Sequence, residues 1–416
     1  MKTMLSMLLG ILGLIALQGC VKDSVKRSYT FYRPVYKTRA EVRQQVRSAA
    51  AQPVQLPGKL FYKDGYVFLN EIEKGVHIID VRNVYQPRVV SFVAIPGCID
   101  LAVRGNILYA DLDTDLVAID ISNPLQVQVT KILSGVFPHR YYGSFLADSS
   151  RVIVDWQRVD TTVKESADLS WGLSQVQFDS FVGSFSNRAT AAGSGAQNGT
   201  GGSMARFALA DDRLYTVSHS DLKVFNTANE AQPVWVKNTD IGAWDIETIF
   251  PYKNRLFIGS QTGMYIYDIS SKDDPKQLSR FAHARVCDPV VADDQHAYVT
   301  LRNGTQCGGF TNQLDVVNIE SLTAPWLVKS YPMTNPHGLA ADGQLLLICD
   351  GRDGLRILDI SDKRQVKQLG QLTGVETYDV IALGHIALVS TTKALLLVDY
   401  SNPARPVITA SINTGN

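Results

Sequence analysis

The sequence has little cysteine, no excess of either charge sign and none of the common catalytic signatures. Five cysteines occur in 416 residues. No Cys-x-x-Cys or His-x-x-x-His spacing is present, which excludes the usual zinc patterns. Basic and acidic residues number 40 each, for a formal net charge of +0. Bulk electrostatics therefore offer no pull toward nucleic acid, and none is expected as a partner. There is no Gly-x-Ser-x-Gly elbow, no Walker loop and no Gly-x-Gly-x-x-Gly opening a helix. What remains is an ordinary globular balance, 45% apolar and 19% charged, on a chain long enough for one large core or two to three average domains.

The charge that is present is uneven. Residues 21–52 hold Lys22, Lys26, Arg27, Arg33, Lys37, Arg39, Arg43 and Arg47 against Asp23 and Glu41. The plain reading is a solvated linker; the alternative is attraction to an anionic membrane surface or a neighbouring protein. Upstream, Lys2 precedes an apolar run from Met4 to Leu17. That run is short for a membrane span of about 20 residues and suits the core of a secretory signal. It ends in Leu17-Gln18-Gly19-Cys20. This stretch resembles the lipobox of bacterial lipoproteins, in which small residues admit a signal peptidase and the Cys thiol takes the lipid. The resemblance implies removal of residues 1–19 and a lipid anchor at Cys20, which holds a protein to one leaflet without spanning it.

Val21-Lys22-Asp23 follows the cysteine. With no Asp directly after Cys20, the expected location is the outer membrane. The Lys-Asp pair resembles the surface-export signal of some Bacteroidetes lipoproteins, which makes the cell surface the favoured side. Residues 20–57 then read as a tether, with one short helix within 38–51, Thr38 as its N-cap and Pro53 and Pro57 closing it.

From residue 58 onward the chain repeats itself. Apolar runs end in Asp80, Asp120, Asn226, Asp268, Asn318, Asp359 and Asp399, spaced 40, 106, 42, 50, 41 and 40 residues apart. A period near 41 accommodates about four short strands and marks an array or propeller. Upstream strands confirm the period: YVFLNE, ILYADL, VIVDWQ, LYTVSH, LFIGSQ, AYVTLR, LLLICD and IALVST. There are eight, and the third has lost its Asp-ended partner to an insertion at about 164–203. The strands of a unit run a (HGLAAD), b (QLLLICD), c (LRILDI) and d (VKQLGQL). Strands a and c are apolar almost throughout, as expected where both faces are covered. A solenoid would need atypical polar caps, yet the last unit ends in an ordinary strand, PVITASI. The expected fold is all-β, a β-propeller of about eight four-stranded units, seven- or eight-bladed, with the third degenerate.

The repeated acid is expected to be structural. An Asp or Asn at the end of strand c can accept backbone N–H groups about two residues on, an Asx-turn. Asn at 226 and 318 fits that role, because a metal ligand or acid/base group would suffer from losing its charge. The phrases VHIID, LVAID, MYIYD, LRILD and LLLVD, each followed by a turn rich in Ser, Asn or Pro, resemble the LVIVD repeat of bacterial and archaeal surface proteins. The resemblance covers residues 58–416. It implies a propeller of seven or eight blades at the cell envelope, and no mechanism.

A site is sought where the d–a and b–c loops share one face, here the upper face. Aligning strand a places Lys59, Asp100, Gly143, Arg206, Glu247, Asp288, His337 and Asp379 at the upper mouth of the central channel. Charge or His at seven of eight aligned positions is unexpected from drift in a buried strand, since unpaired buried charge is costly. The ring reads either as a wet channel mouth or as a ligand site. Asp100, Glu247, Asp288 and Asp379 could offer oxygens to Ca²⁺ or Mg²⁺, or Lys59, Arg206 and His337 could simply pair with them. No cofactor is otherwise expected. Arg140, Tyr142, Trp244, Arg285 and Tyr378 supply aromatic and guanidinium groups nearby, of the kind that anchors partners or sugars.

The insertion is expected to leave from a b–c loop on the same face, as a lid or partner contact with a flexible Gly/Ser tail. With Cys20 lipidated, Cys287 and Cys307 fall at the top of one unit. A disulfide between them is expected, contributing about 3 kcal/mol by loop entropy. Cys349 reads as a small buried apolar residue, and Cys98 as a free thiol at the mouth. The function expected is a lipid-anchored, non-catalytic module that binds an envelope protein, a glycan or a small ligand at its upper face. The rival is a hydrolase or lyase working through the acidic ring, although its mixed charges do not suit a glycosidase pair.

Overall fold

A computed structural model describes residues 24–142, 145–146, 151–166, 200–203, 205–243, 245–283, 289–303 and 311–413. Seven four-stranded antiparallel sheets occupy residues 57–94, 101–133, 207–240, 246–282, 290–332, 339–372 and 377–413. These are blades 1 to 7, and in each the strands pair in chain order, a to d. Strand a of every blade packs beside strand a of the next, round to blade 7 and back to blade 1. The ring closes without an exchanged strand. Leu60, Leu69 and Ile79 of blade 1 share a buried cluster with Ile381, Leu388 and Leu397 of blade 7.

The apolar pattern explains the layers. Strand c of blade 1, Gly75–Asp80, is buried at every position because neighbouring blades cover both its faces. The outer strand Val234–Asp240 of blade 3 is instead partly or fully exposed along its length. At the end of strand c the expected Asx-turn is present in all seven blades. Asp80, Asp120, Asn226, Asp268, Asn318, Asp359 and Asp399 each accept, at 2.8–3.2 Å, the N–H of the residue two further on. The residue immediately after each anchor donates its N–H to the a–b turn of the same blade, as Val81 does to Gly65 O and Tyr400 to His385 O. The repeated phrase is thus the clamp that ties the c–d and a–b turns together on the lower face.

The third unit departs from expectation. Its upstream strand does not enter a blade: VIVDWQ lies within a 16-residue strand, Arg151–Ser166, that pairs with Ser24–Thr38. Lacking an apolar strand c to cover its second side, the segment has no place in the ring. Contacts Ser28–Thr162, Thr30–Asp160 and Arg33–Gln157 set an antiparallel register. Residues 24–35 and 155–166 of this ribbon belong to a compact unit of their own. The excursion carrying the insertion therefore connects strand d of blade 2 to strand a of blade 3, rather than leaving from a b–c loop.

The segment before blade 1 holds a helix where one was expected, but only over Arg39–Gln44, so it ends at Gln45 and is not closed by Pro53 or Pro57. Thr38 caps it, with Glu41 completing a capping box. Arg43 then bonds Asp115 Oδ2 on blade 2 at 2.6 and 2.8 Å. Strand Arg47–Ala49 adds to the outer edge of blade 1, Arg47 opposite Ala94. Among the described residues no helix is long and apolar enough to cross a membrane.

Candidate functional site at the channel and upper face

The described members of the ring are deeply buried. Lys59, Asp100, Glu247, His337 and Asp379 are 0–6% exposed, and Arg206 is half-buried. Going from blade 7 through blades 1, 2, 3 and 4, the residues are Asp379, Lys59, Asp100, Arg206 and Glu247, so acidic and basic side chains alternate. Lys59 Nζ stands 2.9 Å from Asp100 Oδ2. The same carboxylate accepts the Arg206 backbone N–H at 2.6 Å and, through Oδ1, the Leu101 N–H at 2.8 Å. Gln261 donates to Glu247 at 3.1 Å. Burial pushes the Asp379 carboxyl well up; the Val380 N–H and the Lys59 charge offset part of that. His337 meets Asn335 at 3.2 Å, and its ring stands edge-on to Tyr378 at 5.0 Å.

Arg140 and Tyr142 are also turned inward. Arg140 Nη2 donates to Asp111 Oδ2 at 2.6 Å and Nη1 lies 3.7 Å from Glu73. Tyr142 OH donates to Glu73 at 2.5 Å. Burial raises the pKa of Asp111, of Asp113 and of the Cys98 thiol, with Arg140 opposing it in each case. Cys98 is buried and free, as is Cys349. Gly143, Trp244, Arg285, Asp288, Cys20, Cys287 and Cys307, and insertion residues 167–199, lie outside the described residues. Among the described residues no group of three or more His, Cys, Asp or Glu side chains is placed to hold a metal ion.

Two features escaped the sequence reading. One is a set of carboxylates at or beside the end of strand b that hold the segment leading into strand a. Glu71 accepts from Gln55 and Leu56 N–H, Asp111 from Ile99 and Asp100, and Asp350 from Thr334 and Asn335. An acid near the end of strand b in three units was the available signal. Glu71 also meets the buried His77 at 2.9 Å. These bonds outweigh the desolvation of Glu71 and hold its pKa below the usual range.

The other is the end of the insertion, expected to be flexible. Thr200 and Gly201 pair antiparallel with Tyr62 and Phe61 on the channel edge of blade 1. Gly202 N–H points to Leu60 O at 3.4 Å. Ser203 Oγ accepts the Leu339 N–H of blade 6 at 2.9 Å, and Ala205 O accepts the Ile249 N–H of blade 4 at 2.7 Å. The chain thus runs up its own channel before Arg206 turns into blade 3.

The family profile described as the LVIVD repeat matches residues 98–129, 337–367 and 376–414, within blades 2, 6 and 7. The chain is therefore a seven-bladed propeller carrying LVIVD repeats, a general binding or scaffold fold. No curated protein matches it. Three solved structures share the fold. A protein from Lactobacillus plantarum gives a TM-score of 0.56 at 12% identity, covering 86% of this chain and 97% of that one. The computationally designed Ika8 protein gives 0.53 at 9% identity, covering 88% and 92%. Sqt1 of Saccharomyces cerevisiae gives 0.51 at 8% identity, covering 92% and 89%.

Proposed function

We propose that the chain is a lipid-anchored cell-envelope propeller that works as a non-catalytic binding or scaffold module through its upper face. The observation that carries the non-catalytic reading is where the ring acids point. Asp100 is engaged by Lys59 and by two backbone N–H groups, and Glu247 by Gln261. Carboxylates committed to internal donors are poor general acids or bases for an incoming substrate. The channel beneath them holds the chain's own segment. The envelope ligand is assigned to the outer b–c and d–a loops, where the Arg352 side chain stands 88% exposed. The ligand class is an envelope protein or glycan. Leu17-Gln18-Gly19-Cys20 supports the anchor, and Val21-Lys22-Asp23 supports an outer-membrane or surface location.

Two measurements test this reading. The full chain and its Cys20→Ser variant are grown with a clickable fatty acid and fractionated. The parent is expected to carry label and sediment with outer membrane, and the variant to do neither; an unlabelled parent refutes the anchor. A photo-crosslinking residue is then placed at Arg352 on the upper face or at Asp294 on the lower face. Adducts from position 352 alone are expected. Adducts from position 294 alone refute the upper-face assignment.

A further inference from the structure

The channel edge of blade 1 is filled by a segment with the character of a ligand. We infer that the central channel is a binding site for an extended, small-residue peptide, occupied here in cis by Thr200–Ser203. This inference is independent of what the upper face binds.

The innermost strand of a blade has a neighbour on one side only, so its channel-side N–H and C=O groups have no ladder partner of their own. Buried groups of that kind require one. Phe61 and Tyr62 are met by Gly201 and Thr200. Leu339 N–H is met by Ser203 Oγ, and Ile249 N–H by Ala205 O. Phe61, Ile249 and Leu339 stand two residues after Lys59, Glu247 and His337, at equivalent positions of three blades. The channel thus presents backbone groups at one height, and a strand lying among them can address several blades at once. Addition of a strand to an exposed sheet edge is an established mode of peptide recognition. The occupant's side chains indicate what fits. Gly201, Gly202, Ser203 and Ala205 are all small, and Ser203 is 1% exposed.

The occupant is also weakly held. Its ladder with blade 1 is two residues long. Glycines lose more conformational freedom than other residues on being fixed, and such small side chains bury little apolar surface to offset that loss. The segment is tied at Arg206, where the chain becomes blade 3 and Asp100 accepts the backbone N–H. Bound and released forms of the segment therefore lie close in free energy. A competing strand with the same backbone and small side chains would meet the same groups.

The test uses the full chain and a labelled peptide Gly-Thr-Gly-Gly-Ser-Met-Ala, followed by fluorescence anisotropy. Gly202 is buried in the channel, so Gly202→Trp is expected to exclude the cis segment. The variant is expected to bind the peptide at least tenfold more tightly than the parent, and not to bind a peptide with Trp at its fourth position, the equivalent of Gly202. A folded variant that binds no better than the parent overturns the inference. Residue-resolved hydrogen exchange of the parent serves if the variant does not fold. The Leu339 and Ile249 amides are expected to exchange at least tenfold faster than the Leu347 and Ile258 amides of strand b. Equal protection overturns the inference, because the segment would then be a fixed part of the fold.

Discussion

Lys59 Nζ lies 2.9 Å from Asp100 Oδ2 across the seam between blades 1 and 2, and both residues are over nine-tenths buried. A buried pair is weak evidence of net stabilisation, but breaking one leaves an uncompensated charge. Asp100→Ala also removes the acceptor for the Arg206 and Leu101 N–H groups. It should cost about 3–5 kcal/mol in urea unfolding at pH 7. The double variant Lys59→Met/Asp100→Asn should lose clearly less, since it leaves no charge and keeps an acceptor. A double variant as unstable as Asp100→Ala would assign the loss to packing rather than charge.

Asp379 titrates in the opposite sense to a paired surface acid. It is fully buried, and burial lifts its pKa well above the ordinary carboxylate value. The native state therefore retains a proton that the unfolded chain releases near pH 3.9. The associated stability is fully present below the unfolded value and is lost as pH rises through the folded one. Asp379→Asn should flatten that decline and be more stable than the parent at pH 7. Urea midpoints at pH 4, 5.5 and 7 measure this. A parent whose stability does not fall relative to the variant over this range would show that Asp379 holds its charge comfortably.

The seven Asx-turns make a sharper prediction about chemistry than about magnitude. Asp120 Oδ1 accepts the Ser122 N–H at 2.8 Å. The native Asn226 and Asn318 do the same work. Asp120→Asn should therefore be close to neutral, while Asp120→Ala loses the acceptor and about 1 kcal/mol. Thermal midpoints of the two variants decide it. Equal losses from both would mean that the carboxylate charge, rather than the acceptor, matters at this turn.

How much of this was legible follows from what each feature depends on. The blades were readable because a covered strand must be apolar and a tight turn must supply an acceptor, and both are local demands that repeat every 41 residues or so. The clamp at Asp359 or Asp399 needs only the two residues after it. The missing blade was half-legible: VIVDWQ has strand composition, but its partner in Ser24–Thr38 lies over a hundred residues away, and no local pattern marks it. Pairing between the basic and acidic ring residues was open as one of two readings, and the sequence alone did not choose between them. Whether Lys59 meets Asp100 depends on the seam between two blades. The channel segment was hidden for a similar reason. Gly201, Gly202 and Ser203 read as flexible because glycine and serine carry no burial pattern, whereas their partners are backbone groups of Phe61, Leu60 and Leu339, to which sequence is blind.

The Arg140 cluster offers the strongest test of the upper face as a built structure. Arg140 lies between Asp111, at 2.6 Å, and Glu73, at 3.7 Å, and Tyr142 OH completes the Glu73 contacts. Burial raises Asp111 and Arg140 opposes it. Arg140→Met keeps much of the stem and removes the cation, so Asp111 stays buried and keeps the Ile99 and Asp100 N–H groups but loses its charged partner. Its pKa should rise further. The variant should then lose about 3–5 kcal/mol at pH 7 and recover part of it at pH 5, where the native carboxyl takes up a proton that the unfolded chain does not. Arg140→Met/Asp111→Asn should restore most of the loss at pH 7, because Asn retains an acceptor for the two N–H groups and carries no charge. A loss that is equal at both pH values and persists in the double variant would show that the guanidinium acts through its shape, filling the space between blades 1 and 2, and that the acids around it need no cation.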